Sequence, residues 1–269
     1  MVELVPWFRP DQVPIIESFI AGSVRATGRA GVVLGLSGGV DSALVAKLCV
    51  DALGSERVLA LAMPDGKGGK DQKDARRFAK ELGIGFQIVE IAPIVGAMER
   101  RLNVFREDPV ARGNLRARAR MAVLYYVANV ENRVVMGTGN KSEIAVAYFT
   151  KWGDGGADFL PIGDLYKTQV REMARHLGIP EAIVSKTPTA GLWPGQTDEG
   201  ELGISYEELD RILLGIELQF EAEAIAEKAG VPLDRVRHVE GLVAASVHKR
   251  KMPLIPKLGI RTFGLDWRE

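Results

Sequence analysis

A single cysteine, Cys49, stands among 269 residues, which excludes an intramolecular disulfide framework and any Cys-rich zinc or iron–sulfur site. A cytoplasmic setting is expected. Excess charge of either sign is also missing: 35 Lys and Arg balance 35 Asp and Glu. No global field therefore draws in nucleic acid or an anionic membrane, and any anion binding must be local. No apolar run approaches the ~18 residues a membrane helix needs. Met1–Asp11 carries Glu3, Pro6, Arg9, Pro10 and Asp11 where a secretory signal has a basic stretch and an apolar core. Linkers rich in Ser and Pro, internal repeats and low-complexity tracts are absent, so residues 1–269 read as one domain. What remains, 46% hydrophobic and 26% charged residues with 30 glycines, is the make-up of a folded globular protein.

The apolar pattern alternates between short runs and helical spacing. Val32–Leu36 reads as a strand and Ser42–Leu53 as a helix closed by Gly54; Val58–Met63 repeats the strand. Asp71–Leu82 is helical up to Gly83, Phe86–Ile91 is a third strand, Val110–Glu131 a long helix opened by Asp108-Pro109, and Val134–Met136 a fourth strand. Strands alternating with helices imply an α/β fold with a doubly wound parallel sheet over residues of about 28–180. Beyond it, Thr187–Gly203 reads as a long polar loop. Ser205-Tyr-Glu-Glu208 is a capping box, and helices at Tyr206–Leu214, Leu218–Ala229 and Leu233–His248 form a helical C-terminal layer over about 181–269. An amphipathic helix at Gln12–Ala26, with Ile15, Ile16, Phe19, Ile20 and Val24 on one side, offers interface surface.

The sharpest motif is Gly35, Leu36, Ser37, Gly38, Gly39, Val40, Asp41 and Ser42, set between a strand and a helix. Backbone N–H groups and the helix dipole there hold phosphate oxygens. Gly38 and Gly39 allow close approach, and Ser37 and Ser42 add hydroxyls. Asp41 would repel phosphate unless a hard cation such as Mg²⁺ lay between them. Neither a Walker A lysine nor a dinucleotide-binding G-x-G-x-x-G is present.

At these residues the sequence resembles the PP-loop ATP pyrophosphatases, which cleave ATP between its α- and β-phosphates. Further segments resemble the NAD synthetases within that group, in the family's order: Gly113–Met121, Gly137-Thr-Gly-Asn-Lys-Ser-Glu143, Phe149–Asp158, Lys186–Ala190, Gln196–Glu199 and His248-Lys-Arg250. The resemblance implies ATP contacts at Gly35–Ser42, Thr138, Lys167 and Thr189. It implies Mg²⁺ ligands at Asp41 and Glu143, and deamido-NAD contacts at Arg118, Lys151, Asp158, His248 and Lys249. Arg116, Arg118 and Arg120 cannot all reach one ligand from a helix, and Arg118 is the one that matches the family pattern.

Ammonia is mostly NH₄⁺ near neutral pH, so amide formation benefits from a carboxylate that binds the cation and takes its proton. Asp154 is the better candidate and Asp158 the other. Asp41, Lys167 and Asp154 are thus the expected catalytic groups. The implied reaction joins free ammonia to deamido-NAD through an adenylate, giving NAD, AMP and pyrophosphate. No glutaminase segment with a nucleophilic cysteine is seen, since Cys49 lies inside a helix. The expected partners are ATP, deamido-NAD, ammonia and a second copy in a homodimer, with no nucleic acid and no membrane. The alternative is another PP-loop amide-forming or tRNA-modifying synthetase. Gly66–Lys70 and Ala190–Gly203 are expected to order when the substrates bind.

Overall fold

The computed structural model describes residues 4–66, 69–102, 108–193, 195–258 and 260. Four parallel strands, β1 (Gly31–Gly35), β2 (Val58–Ala62), β3 (Gly85–Ile88) and β4 (Arg133–Met136), lie in the order β3-β2-β1-β4. Val33 is in register with Leu59 on one side and with Val135 on the other. Strand order reverses at β1, so the crevice beyond the carboxyl ends of β1 and β4 is where an open α/β sheet of this kind receives a ligand.

Alternation along the strands buries both faces. Val32, Leu34, Val58, Ala60, Val134 and Met136 pack under α1 (Gln12–Thr27), α2 (Val40–Leu53) and, further along the chain, the helix Lys167–His176. Val33, Leu59, Leu61 and Val135 meet Leu124, Val127 and Ala128 of the long helix Pro109–Val130 on the other face. Between β2 and this helix lie α3 (Lys70–Leu82) and α4 (Ala92–Leu102), which makes Pro109–Val130 α5. Asp108 caps α5 by accepting from Val110 N (2.9 Å) and Ala111 N (3.0 Å), and the helix runs unbroken through Gly113 and Asn114.

After β4 come α6 (Lys141–Ala145), α7 (Lys167–His176), α8 (Glu181–Val184), α9 (Asp198–Leu202), α10 (Tyr206–Glu217), α11 (Ala222–Ala229), α12 (Leu233–Ala245) and α13 (Val247–Arg250). A second core, with Tyr206, Ile212, Ile225, Val236 and Val239 at its centre, joins α10, α11 and α12 into the C-terminal helical layer.

Several local expectations change. The third strand spans Gly85–Ile88, not Phe86–Ile91, and the segment after it forms α4, which the apolar pattern had not announced. The expected loop Thr187–Gly203 contains α9, capped by the Thr197 hydroxyl accepting from Gly200 N. The helix expected at Leu218 starts at Ala222, because Gln219 takes a left-handed turn with φ 58°. The helix expected through His248 breaks at Ser246, whose hydroxyl donates back to the Leu242 carbonyl. On α1, Ile20 and Val24 are buried in the core, which leaves Ile15 and Phe19 exposed. Residues 67 and 68 of the Gly66–Lys70 loop and residue 194 of the Ala190–Gly203 loop lie outside the described residues. Among the described residues, no helix is long and apolar enough to cross a membrane.

Candidate active site

The turn from β1 into α2 holds itself open with its own serines. Ser37 N donates to Ser42 Oγ (3.2 Å), the two hydroxyls bond each other (3.0 Å), and Ser42 Oγ donates to Gly39 O (3.0 Å). These hydroxyls, expected as donors to phosphate, here fix the loop's shape. Gly38 has φ +86°, and a Cβ there would lie 2.5 Å from the Asp71 carbonyl oxygen, so the start of α3 closes directly on the loop. The first N–H groups of α2 have no carbonyl one turn earlier to bond, and they face whatever the loop holds.

Three charged side chains meet beside this turn. Asp41 lies in the first turn of α2, Glu143 in the first turn of α6 just beyond β4, and Lys167 at the first position of α7. Lys167 Nζ stands 2.5 Å from Asp41 Oδ2 and 3.4 Å from Glu143 Oε1, and Lys167 is 2% exposed. Burial disfavours its ammonium, but the two acids outweigh burial and hold its pKa above the ordinary lysine value. Burial pushes the Glu143 carboxyl up to about 8, with Lys167 pulling it down and Asp41 adding to the rise.

Asn140, fully buried, organises the acids. Its amide donates to Asp41 Oδ1 (2.9 Å), its carbonyl oxygen accepts from Glu143 N (3.0 Å), and Glu143 Oε2 accepts from Asn140 N (3.3 Å). This is a reciprocal capping box in which the capping acid also serves the site. The N-x-x-E spacing was the available sequence signal, though Asn140 was not among the expected residues.

Asp41 and Glu143 line a cavity of about 560 Å³, within the range of small-molecule sites. Gly35, Leu36, Ser37, Ser42, Thr138 and Lys249 open onto it, as do Asp154 and Thr189. Gly39 and Val40 line an adjoining recess of about 150 Å³ with Asp41, Glu143, Asp154, Lys167 and Thr189. Asp154 Oδ1 accepts from Thr150 N (2.9 Å), and burial holds its carboxyl above the usual carboxylate range although it faces the cavity. The Thr189 hydroxyl donates to the Gln196 carbonyl (2.8 Å).

Of the remaining expected residues, Arg118, Lys151, His248 and Asp158 lie off this cavity. Arg118, exposed on α5, donates to the Lys151 carbonyl (3.3 Å), and Lys151 Nζ donates to the His248 carbonyl (2.8 Å), which makes one connected surface patch. Lys249 Nζ instead turns inward to the carbonyls of Ala147 and Phe149, each at 3.0 Å. Asp158 accepts from Tyr125 OH (3.0 Å) and Val135 N (2.8 Å), so both its oxygens brace α5 against β4.

Four further charged groups stand at or beside the cavity, and two of them, Arg116 and Arg120, were set aside in the sequence in favour of Arg118. Arg120 donates to the Met63 carbonyl (3.0 Å), and burial lowers its pKa. Arg116 pairs with Asp65 and donates to Leu192 O (2.6 Å). Asp198, 4% exposed, accepts from Tyr206 OH (3.1 Å) in the recess. Lys186, quoted only as the start of a segment, reaches Gly38 O (2.8 Å). The partners of Arg116, Arg120 and Lys186 lie far off in sequence, so spacing could not mark their contacts.

Residues 12–253 match the family profile described as NAD synthase. The NH(3)-dependent NAD(+) synthetase of Methanococcoides burtonii is 48% identical over 246 residues, which cover 91% of this chain and 94% of the relative. A solved NMN synthetase from Francisella tularensis superposes with a TM-score of 0.82 at 36% identity, covering 93% of this chain and 99% of that one. The NH3-dependent NAD synthetase of Campylobacter jejuni, solved with a nitrate ion, gives a TM-score of 0.78 at 32% identity over 92% and 98%. The resemblance first carried by the turn at Gly35–Ser42 thus extends through the sheet, the cavity and the helical layer, and the chain belongs to the NAD synthase family.

Proposed function

We propose that the protein joins ammonia to the nicotinate carboxylate of deamido-NAD at the expense of ATP, giving NAD, AMP and pyrophosphate. The observation that carries this reading is the convergence of Asp41, Glu143 and Lys167 beside the β1–α2 turn, on the cavity that Asp154 also lines. Asp41 and Glu143 offer hard oxygen ligands from two strand ends, a donor set that fits Mg²⁺, which takes one or two carboxylates and completes its shell with phosphate oxygens and water. When bound there, Mg²⁺ supplies positive charge against the triphosphate.

The chain's own groups account for the rest. The turn Gly35–Ser42 receives the β- and γ-phosphates, Thr138 and Thr189 flank the nucleotide, and Lys167 offsets the charge that builds on the α-phosphate. The nicotinate oxygen attacks that phosphorus, the bond to the bridging oxygen breaks, and pyrophosphate leaves with the electron pair. Ammonia then adds to the acyl carbon, and AMP departs. Asp154, which lines the cavity, takes the proton that NH₄⁺ must lose before nitrogen is nucleophilic; Asp158, braced by Tyr125 and Val135, is the other candidate. The patch of Arg118, Lys151 and His248, with Lys249, receives the dinucleotide. Free ammonia is the nitrogen source in this reading, in keeping with the name of the Methanococcoides burtonii relative. The protein then works in the cytoplasm as a homodimer, without nucleic acid or membrane.

The likeness to an NMN synthetase favours one second reading, with nicotinate mononucleotide as the acceptor. One assay separates the two. The protein is incubated with Mg·ATP, either acceptor, and ammonium or glutamine, and the nucleotides are resolved by chromatography. NAD and AMP formed together with ammonium and deamido-NAD support the proposal. ADP in place of AMP, or turnover with the mononucleotide alone, refutes it.

A further inference from the structure

Lys186 uses all three of its ammonium protons, on three acceptors from two distant segments. Nζ donates to Gly38 O at 2.8 Å, to Asp71 Oδ1 at 2.9 Å and to Asp74 Oδ2 at 3.0 Å. The first acceptor belongs to the β1–α2 turn and the other two to the first turns of α3. Acids at a helix start are ordinarily explained by the helix dipole. Asp71 is in an unusual place for that role alone, because it lines the cavity and its carbonyl would touch a Cβ on Gly38. Two carboxylates therefore stand against a turn that receives an anion. Burial disfavours the Lys186 ammonium, but bonds to Asp71 and Asp74 outweigh burial and keep it charged.

We infer that Lys186 is a positioning residue for ATP. It neutralises Asp71 and Asp74 so that the triphosphate can enter the Gly35–Ser42 turn, and it holds the segment carrying Thr189 over that turn. The inference rests on reading the turn as the ATP phosphate site. It differs from a direct phosphate contact, because the ammonium is already saturated by its three partners. It differs from scaffolding too, because the charge is what matters.

Lys186→Gln separates these roles, since glutamine keeps an N–H donor for Gly38 O and loses the charge. Binding of Mg·ATP is measured by calorimetry without any acceptor, for the unaltered protein, Lys186→Gln, Asp71→Asn/Asp74→Asn and the triple variant. Lys186→Gln should weaken ATP binding by roughly tenfold, the scale of one partly screened charge interaction. Asp71 is 62% exposed on its side chain, so the loss should shrink as salt rises from about 50 to about 300 mM, which shortens the Debye length about 2.4-fold. The triple variant should return to within about twofold of the unaltered protein, because the charges that needed neutralising are gone. If the triple variant binds ATP as weakly as Lys186→Gln, the inference falls and a direct phosphate contact takes its place. If Lys186→Gln binds normally, scaffolding is sufficient and the inference falls as well. Lys186→Met repeats the cycle should the glutamine variant not fold. Failure of the unaltered protein to bind ATP would remove the functional reading and this inference together, which is a distinct result from either of the others.

Discussion

Asp210 is wholly buried on α10 and ties three helices together. It accepts from the Ser142 hydroxyl, from Thr168 N (2.8 Å) and from Thr168 Oγ1 (2.8 Å), while Ser142 Oγ accepts from Lys167 N (2.9 Å). One carboxylate thus anchors the starts of α6 and α7, which carry Glu143 and Lys167. Asp210→Ala leaves three donors unpaired, the Ser142 hydroxyl buried and the two of Thr168 partly so. At about 1–3 kcal/mol each, less what entering water recovers, the loss of stability should be about 4 kcal/mol. Asp210→Asn keeps an oxygen for both Thr168 donors and forfeits only the bond from Ser142, so about 1–2 kcal/mol is expected. Burial pushes the Asp210 carboxyl up to about 6 from its ordinary 3.8. Between those values the native state holds a proton that the unfolded chain has released. Stability therefore falls as pH rises from about 4 to about 6, by up to about 3 kcal/mol, and this slope vanishes in Asp210→Asn. Urea unfolding across pH 4–7 and the rate of AMP formation test both parts, and AMP formation by Asp210→Ala should drop about tenfold or more as Lys167 and Glu143 lose their fixed placement. An alanine variant within about 1 kcal/mol of the unaltered protein, or an asparagine variant with the same pH slope, would refute the reasoning.

Asp41→Asn and Glu143→Gln should each lower AMP formation by on the order of 100-fold or more while the circular dichroism spectrum stays unchanged, since each removes a charge that the phosphate chemistry uses. Asp154→Asn should raise the KM for ammonium about tenfold or more and leave ATP binding intact, as read by initial rates against ammonium concentration. Arg118→Ala should raise the KM for deamido-NAD by roughly tenfold with the KM for ATP unchanged, because Arg118 lies off the cavity that the phosphate turn shares. Gly38→Ala should cost about 2 kcal/mol in a urea melt and weaken ATP binding, because φ +86° is strained for alanine and the Asp71 carbonyl occupies the space of its Cβ.

The inner strands were legible as apolar runs: a strand buried on both faces, such as Val58–Ala62, has no polar position to blur it, whereas exposed β3 carries Gln87 and its bounds were misplaced. Helix starts with a side-chain cap were legible too, as at Asp108 and Ser205. What escaped was set by backbone conformation or by partners remote in sequence. The turn at Gln219 uses a left-handed residue that is neither Gly nor Asn, so nothing in its type announced it. α4 buries only Val95 within the helix and offers a thin apolar stripe, too little for periodicity to resolve.

Only the family resemblance marked Lys167 in the sequence; taken alone it reads as a surface lysine, yet the structure buries it at 2% exposure. A cation at the first position of a helix sits against the positive end of the dipole, so Lys167 is unfavourably placed for the helix it begins. Its own helix cannot explain its burial. Something beyond the helix must supply at least one negative charge, and here Asp41 and Glu143 supply two. Asp41 lies in the first turn of α2, where the dipole suits an acid, but it stands beside a turn proposed to receive phosphates. Lys167, wrongly charged for its own helix start, and Asp41, from the other side of the strand-order reversal, satisfy each other in the protein before any ligand arrives. Asp41 and Glu143 together outweigh Lys167, so bringing in the triphosphate adds charge of the same sign unless a cation arrives with the nucleotide. ATP and its divalent cation should therefore bind with strong mutual dependence. Calorimetric titration of ATP in the presence and absence of Mg²⁺ should give affinities that differ by about 100-fold or more, and equal affinities would mean that Lys167 alone meets the charge of the phosphates.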